Sequence, residues 1–215
     1  MLPDGHLDMF RREAFAPSQP ALLPREHFLK LPAIKKWFVQ SQQNAGETEL
    51  NYNYFGTFRS AIVPLELSQS ASPASAERSN NSFPRAEVPF QIFLEWISIE
   101  TAEALQRLYL AQASLTSLLN TLSEDPPVPE IIAKAGSGDI YDTNLEIGIP
   151  PTYTPLHRDS NPNTFVQLSG HKLMRMLRPE LGNEIFGLVR RVMGKSRSAT
   201  FRGEKMMEGE EKRLL

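Results

Sequence analysis

The chain has 215 residues, 40% of them apolar and 22% charged, with a net charge of −2. These are globular proportions, with length enough for a sizeable core, and the balanced charge removes the basic footprint of a general nucleic-acid binder. The absence of cysteine excludes disulfide scaffolds, zinc ribbons, thiolate iron–sulfur centres and cysteine nucleophiles, which leaves any metal to His, Asp or Glu.

The histidines are His6, His27, His157 and His171. The opening MLPDGHLDMFRREAF has early acids and no apolar h-region, and no run approaches 18 consecutive apolar residues. An intracellular protein, cytoplasmic or nuclear and without a membrane span, is expected. In chain order, PSQPALLP (17–24) reads as an extended or edge segment bracketed by prolines. Pro32 suits the first position of a helix carrying Ile34, Trp37 and Phe38 on one stripe. Residues 40–49 read as loop, and the aromatic, β-branched NYNYFGTFRSAIVPLEL (51–67) as strand. The Ser- and Asn-rich stretch 68–86 cannot bury enough apolar surface to order itself and is expected to be a mobile loop.

FQIFLEWISI (90–99) is apolar enough to be buried, and Ser98 and Thr101 suit the start of a short helix. RLYLAQASL (107–115) fits helix or strand, with strand favoured for Leu108–Gln112. The prolines of DPPVPE (125–130) make a connection. Residues 139–179 read as β, including a hairpin of Phe165–Leu168 and Leu173–Leu177 turning at Ser169-Gly170, where glycine supplies the permissive backbone. Met174 and Met176 then face the core, as do Trp37 and Trp96, and His27 packs beside Phe28. The tail returns to helix, with Ile185, Leu188, Val189 and Val192 on one face and a solvated, mixed-charge end. The division expected is 1–135, a mixed α/β region, and 136–215, a partial β core with a helical tail.

The chemistry lies in Thr154-Pro155-Leu156-His157-Arg158-Asp159. On a strand, residues two apart share a face, so His157 and Asp159 can offer an imidazole and a carboxylate to one divalent ion. With a second histidine, such a pair makes the facial triad of non-haem iron(II) oxygenases. Fifteen residues beyond His157, past the Ser169-Gly170 turn, stands Lys172. Lys172 is equally well a solvated strand lysine or an ammonium paired with an anionic ligand, since an unpaired buried ammonium is costly.

These residues, with Asn163, Gln167 and Gly170, resemble the JmjC/cupin-like family of iron(II)- and 2-oxoglutarate-dependent dioxygenases, nearest its hydroxylase-type members. YDTNLEIG and PALLP…LPAIKKWF also resemble the family's lead-in segments. The resemblance implies a mainly β fold with α elements, a double-stranded β-helix (jelly roll) behind a mixed α/β N-terminal region. It implies His157 and Asp159 as Fe(II) ligands, Thr154 and Lys172 as holders of the distal carboxylate of 2-oxoglutarate, and Asn163 near the co-substrate. Asn163 serves equally as a turn residue of its Asn-Pro-Asn bend. Dioxygen and 2-oxoglutarate are the implied partners of a hydroxylation, with demethylation as the lesser option and a protein side chain or small molecule as substrate.

One departure stands out. The family's second histidine ligand follows at a long interval, whereas here the later histidine is His171, which faces away if Lys172 faces inward. The roll therefore reads as incomplete at the C-terminus, with open edges that favour self-association. A non-catalytic cupin-like binding protein or scaffold is the alternative.

Overall fold

A computed structural model of the chain describes residues 6–41, 44, 46–69, 85–99, 106–118, 120–149, 152 and 162–193. Helix α1 (Leu7–Phe10) runs into a π-helical turn over Arg11–Phe15, and after a 3-10 turn at Arg25–His27 comes α2 (Pro32–Lys36). Then follow β1 (Phe38–Gln40), β2 (Thr48–Leu50), α3 (Tyr52–Phe55) with a 3-10 turn at Gly56–Phe58, β3 (Ile62–Gln69), β4 (Arg85–Pro89) and α4 (Phe90–Ile99). The chain continues through β5 (Gln106–Ser114), α5 (Asn120–Ser123), α6 (Glu130–Ala135), β6 (Asn144–Gly148) and α7 (Pro179–Met193). These elements gather into two compact units, one from described residues within 1–61, 114–144 and 160–178, the other from those within 62–113, 145–159 and 179–215.

In the first unit, Pro32 opens α2, where its missing N–H would have had no helical partner. Trp37 ends the helix fully buried. Asn51 fixes the next turn from both sides. Its side chain accepts from the Tyr54 N–H at 3.2 Å and donates to the Lys36 carbonyl at 2.8 Å, joining the start of α3 to the end of α2. The rings of Trp37 and Phe55 meet at 5.6 Å between centroids, and those of Tyr54 and Phe58 at 5.4 Å. Such pairs add about 0.5–1.5 kcal/mol each to the burial of their area. Strands β1 and β2 pair antiparallel, with Phe38 opposite Leu50. The Arg11 guanidinium donates to the Lys134 and Ala135 carbonyls, which satisfies the C-terminal end of α6. Gly136 follows, where a Cβ would stand 3.1 Å from the Phe15 ring.

At the centre of this unit, Asp125 is completely buried. Its carboxylate accepts from Lys36 Nζ at 2.5 Å, from Trp37 Nε1 at 2.8 Å and from the Tyr54 hydroxyl, while its backbone carbonyl accepts from the Ala33 N–H at 3.1 Å. Burial pushes the Asp125 carboxyl upward, but the hydrogen bonds from Lys36, Tyr54 and Trp37 outweigh it and hold the group below the ordinary aspartate range. The same contact acts oppositely on Tyr54. Burial, the hydrogen bond to Asp125 and its negative charge push that phenol well up, so it remains a donor.

The second unit is built on an antiparallel sheet in the order β4-β3-β5-β6. Strand β3 pairs with β4 from Ile62↔Pro89 to Glu66↔Arg85, and with β5 from Leu65↔Leu110 to Gln69↔Gln106. Pro64 lies in a strand with neighbours on both sides, a position proline normally avoids. It is tolerated because the β5 ladder begins only at Leu65, so the missing N–H withdraws no bond from it. On β6, Glu146 accepts from the Tyr109 hydroxyl of β5 at 2.8 Å. Helix α4 turns Phe90, Phe93 and Leu94 inward at i, i+3, i+4, and the rings of Phe90 and Phe93 stack at 6.0 Å. Val63, Leu65, Leu110, Ala111, Leu145 and Ile185 complete the buried set.

Several expectations hold: Pro32 at a helix start, strand over Leu108–Gln112, a connection at Asp125–Pro129, Trp37 in the core, and His27 edge-on to Phe28 at 6.2 Å. Others are corrected. Residues 52–58 are helical, because the Asn51 cap starts a turn where alternation suggested strand, and β3 begins at Ile62. Residues 17–24 form no regular strand. Among described residues of 139–179, only Asn144–Gly148 is strand. Strands β3 and β4 claim both ends of the Ser-rich stretch 68–86, and residues 70–84 lie outside the described set. Trp96 is half-buried. The mixed-charge tail beyond Met193 lies outside the described residues.

Replacing Asp125 by Ala leaves the indole N–H and a phenol without their acceptor and is expected to cost about 3 kcal/mol in urea unfolding. Lys36→Ala should cost only about 1 kcal/mol, because the Lys36 side chain is 50% exposed and water replaces it. Because the folded-state value of Asp125 is depressed, its contribution is fully present above the unfolded-state aspartate value of about 3.9 and is lost as pH falls through the folded value. Asp125→Asn should therefore flatten the acid limb of the stability–pH curve below about pH 4 and leave its slope at pH 6–8 unchanged.

Candidate functional site

Thr154, His157 and Asp159 lie outside the described residues, and Asn163 and Lys172 lie within them. Strand β6 leads toward the first three. Its last residue, Gly148, is there for space. A Cβ would come 2.7 Å from Tyr109 Cδ2 and 2.9 Å from Thr152 Cγ2, so only glycine lets the tyrosine ring lie against the strand end.

Asn163 is exposed, in an irregular stretch after Pro162. The chain then bends at Ser169-Gly170, where Gly170 has φ of +71° in the left-handed region that glycine enters without strain. Gln167 Nε2 donates to the Ser169 carbonyl at 2.5 Å, and the Ser169 and Thr48 hydroxyls meet at 2.8 Å, fixing the bend to β2. Two residues on, Lys172 Nζ stands 4.3 Å above the centroid of the Phe165 ring. The turn read from the sequence is thus present, and it returns Lys172 to the level of Phe165.

The two arms are not strands, which corrects the expected hairpin. Leu173, Met174 and Met176 are 81%, 44% and 54% exposed, so neighbouring apolar residues face solvent together. With neither face buried, nothing sets a strand register. The same exposure corrects the inward placement of Met174 and Met176. His171 is exposed, as expected of a residue beside Lys172.

Among the described residues, no three His, Asp or Glu side chains converge as a metal site would require. Sequence reasoning passed over the Asp125 cluster and the Tyr109–Glu146 pair. Asp125 gave no signal, since its partners lie 71, 88 and 89 positions away. Both features sit in described, well-packed surroundings, and the Asp125 group has its donors already matched to acceptors.

A family profile for the Cupin-like domain matches residues 7–199. Lysine-specific demethylase JMJ30 of Arabidopsis thaliana is 25% identical over 180 residues, covering 84% of this chain and 37% of that protein. The chain thus spans little more than a third of the length of that relative. No solved structure matches it. Antiparallel sheets with helices in a mixed α/β arrangement agree with the jelly-roll class read from the sequence. Among the described residues, no helix is long and apolar enough to cross a membrane. With a match that runs through nearly the whole sequence and takes in the Thr154–Lys172 pattern, the chain belongs to the cupin-like domain family.

Proposed function

We propose that the chain carries the iron(II) and 2-oxoglutarate site of a cupin-like oxygenase, with His157 and Asp159 as metal ligands. The observation that supports this reading is the spacing Thr154, His157, Asp159, Asn163, Lys172 inside a chain of the cupin-like family. An imidazole and a carboxylate are an apt donor pair for ferrous iron in kind. They fall short in number. His6 and His171 are exposed and His27 packs on Phe28, so a third protein ligand is unassigned. Bound iron would supply the binding and activation of dioxygen.

The chain's own residues have a separate task. The Lys172 ammonium and the Thr154 hydroxyl would hold the far carboxylate of 2-oxoglutarate, and Asn163 would border it. Lys172 must leave the Phe165 ring to do so. A cation–π contact at an exposed site is worth about 0.5–1 kcal/mol, less than the roughly 1.5–3 kcal/mol of a hydrogen bond to a charged group. The exchange is favourable once the dicarboxylate is bound. Hydroxylation of a protein side chain or small molecule is the reaction proposed. The name of the Arabidopsis relative favours demethylation of lysine as the second reading. The unassigned ligand favours a non-catalytic binding role.

Anaerobic calorimetry with Mn(II) as a redox-silent stand-in should show saturable metal binding, followed by 2-oxoglutarate binding that depends on the metal. His157→Ala should abolish both. Lys172→Ala should retain the metal and weaken 2-oxoglutarate by about tenfold or more. Failure of the unaltered chain to bind either component overturns the reading. Binding of both without iron-dependent succinate formation assigns the binding role instead.

A further inference from the structure

A second group of cations stands apart from the residues assigned to iron and 2-oxoglutarate. Along α2 the first unit has a cleft of about 430 Å³ lined by Leu29, Lys30, Pro32, Lys35 and Lys36. This volume lies within the range of small-molecule sites. Three ammonium groups line it and no carboxylate does.

The lysines differ in how they are held. Lys36 is anchored from behind by its 2.5 Å contact with Asp125, whose carboxylate is also engaged by Trp37 and Tyr54. Its ammonium therefore has a fixed place and retains donors beyond the one used. Lys30 and Lys35 are exposed, and among the described residues no carboxylate stands within ion-pair distance of either. The cleft thus carries more positive charge than its surroundings balance.

We propose that this cleft binds a small organic phosphate. The cations are all lysines. An ammonium is a compact point charge that suits a tetrahedral phosphate, whereas the planar fork of arginine matches the two-oxygen edge of a carboxylate. The rest of the lining is apolar. Leu29 is 60% exposed and Pro32 lies beside it in sequence order with α2, offering a surface for the carbon part of such a ligand. Leaving apolar surface next to unbalanced charge is costly for a bare protein face and useful for a ligand that has both characters.

The test is calorimetric titration of the metal-free full chain with phenyl phosphate, with inorganic phosphate and with succinate. Phenyl phosphate should saturate and bind more tightly than inorganic phosphate, which lacks the ring, and more tightly than succinate, which lacks the tetrahedral anion. The Lys30→Ala/Lys35→Ala double variant should bind phenyl phosphate at least about tenfold more weakly. Both lysines are exposed, so its thermal melt should match that of the unaltered chain. Lys134→Ala, which removes a surface lysine paired with Glu130, should bind as the unaltered chain does. His157→Ala should also bind phenyl phosphate normally, which separates this site from the iron reading. Absence of saturable binding overturns the proposal, as does succinate binding as tightly as phenyl phosphate. Equal weakening by Lys134→Ala shows unspecific charge attraction and overturns it too.

Discussion

A carboxylate removed from water survives only if its surroundings replace the hydration it has lost, and Asp125 shows how this chain does so. Lys36 brings a charge, Trp37 and Tyr54 bring neutral donors, and the backbone of Ala33 ties down the same residue's carbonyl. These groups come from the end of α2, from α3 and from the connection before α6. The arrangement is directional, so it specifies how those segments meet in a way that apolar packing alone would not. It also explains why a proline-rich stretch, poor in regular structure, holds a defined place. The prolines at 126, 127 and 129 cannot support a ladder or a helix interior, but the residue just before them is held by side chains and backbone together.

Legibility in the sequence followed the range of the forces involved. Features set by local geometry could be read directly: Pro32 at a helix start, Gly170 at a bend, β-branched and aromatic character in β5. Features set by partners far along the chain could not. Asn51 looked like part of a strand because its neighbours are aromatic, yet its side chain nucleates a turn by bonding to Lys36 and Tyr54. The arms on either side of Gly170 alternate as strands do, but alternation predicts a strand only where one face is covered, and Leu173, Met174 and Met176 are all open to solvent. Asp125 left no trace in the pattern at all.

The site divides along the same line. Its motif is a matter of spacing, and spacing was legible, as the cupin-like family match confirms for the fold. What spacing cannot convey is the resting state of each group. Lys172, read as an ammonium waiting for an anion, lies on the Phe165 ring. An aromatic face is a weak and replaceable partner for a cation, which makes it a suitable holding place for a side chain with a stronger engagement elsewhere. Gly148 carries a related lesson. A glycine at a strand end reads as a simple terminator, whereas here its missing side chain is the space that the Tyr109 ring occupies.

Strand β3 is held to β4 over Ile62–Glu66 and to β5 over Leu65–Gln69, so the two ladders share only Leu65 and Glu66. The sheet is thus assembled at this strand like a lap joint, with a short overlap between two pieces each fastened on one side. Pro64 belongs to the piece that needs no bond toward β5. Such a joint can give way on the β4 side while the β5 side stays closed, so the hinge line of the sheet is set by two residues, Leu65 and Glu66.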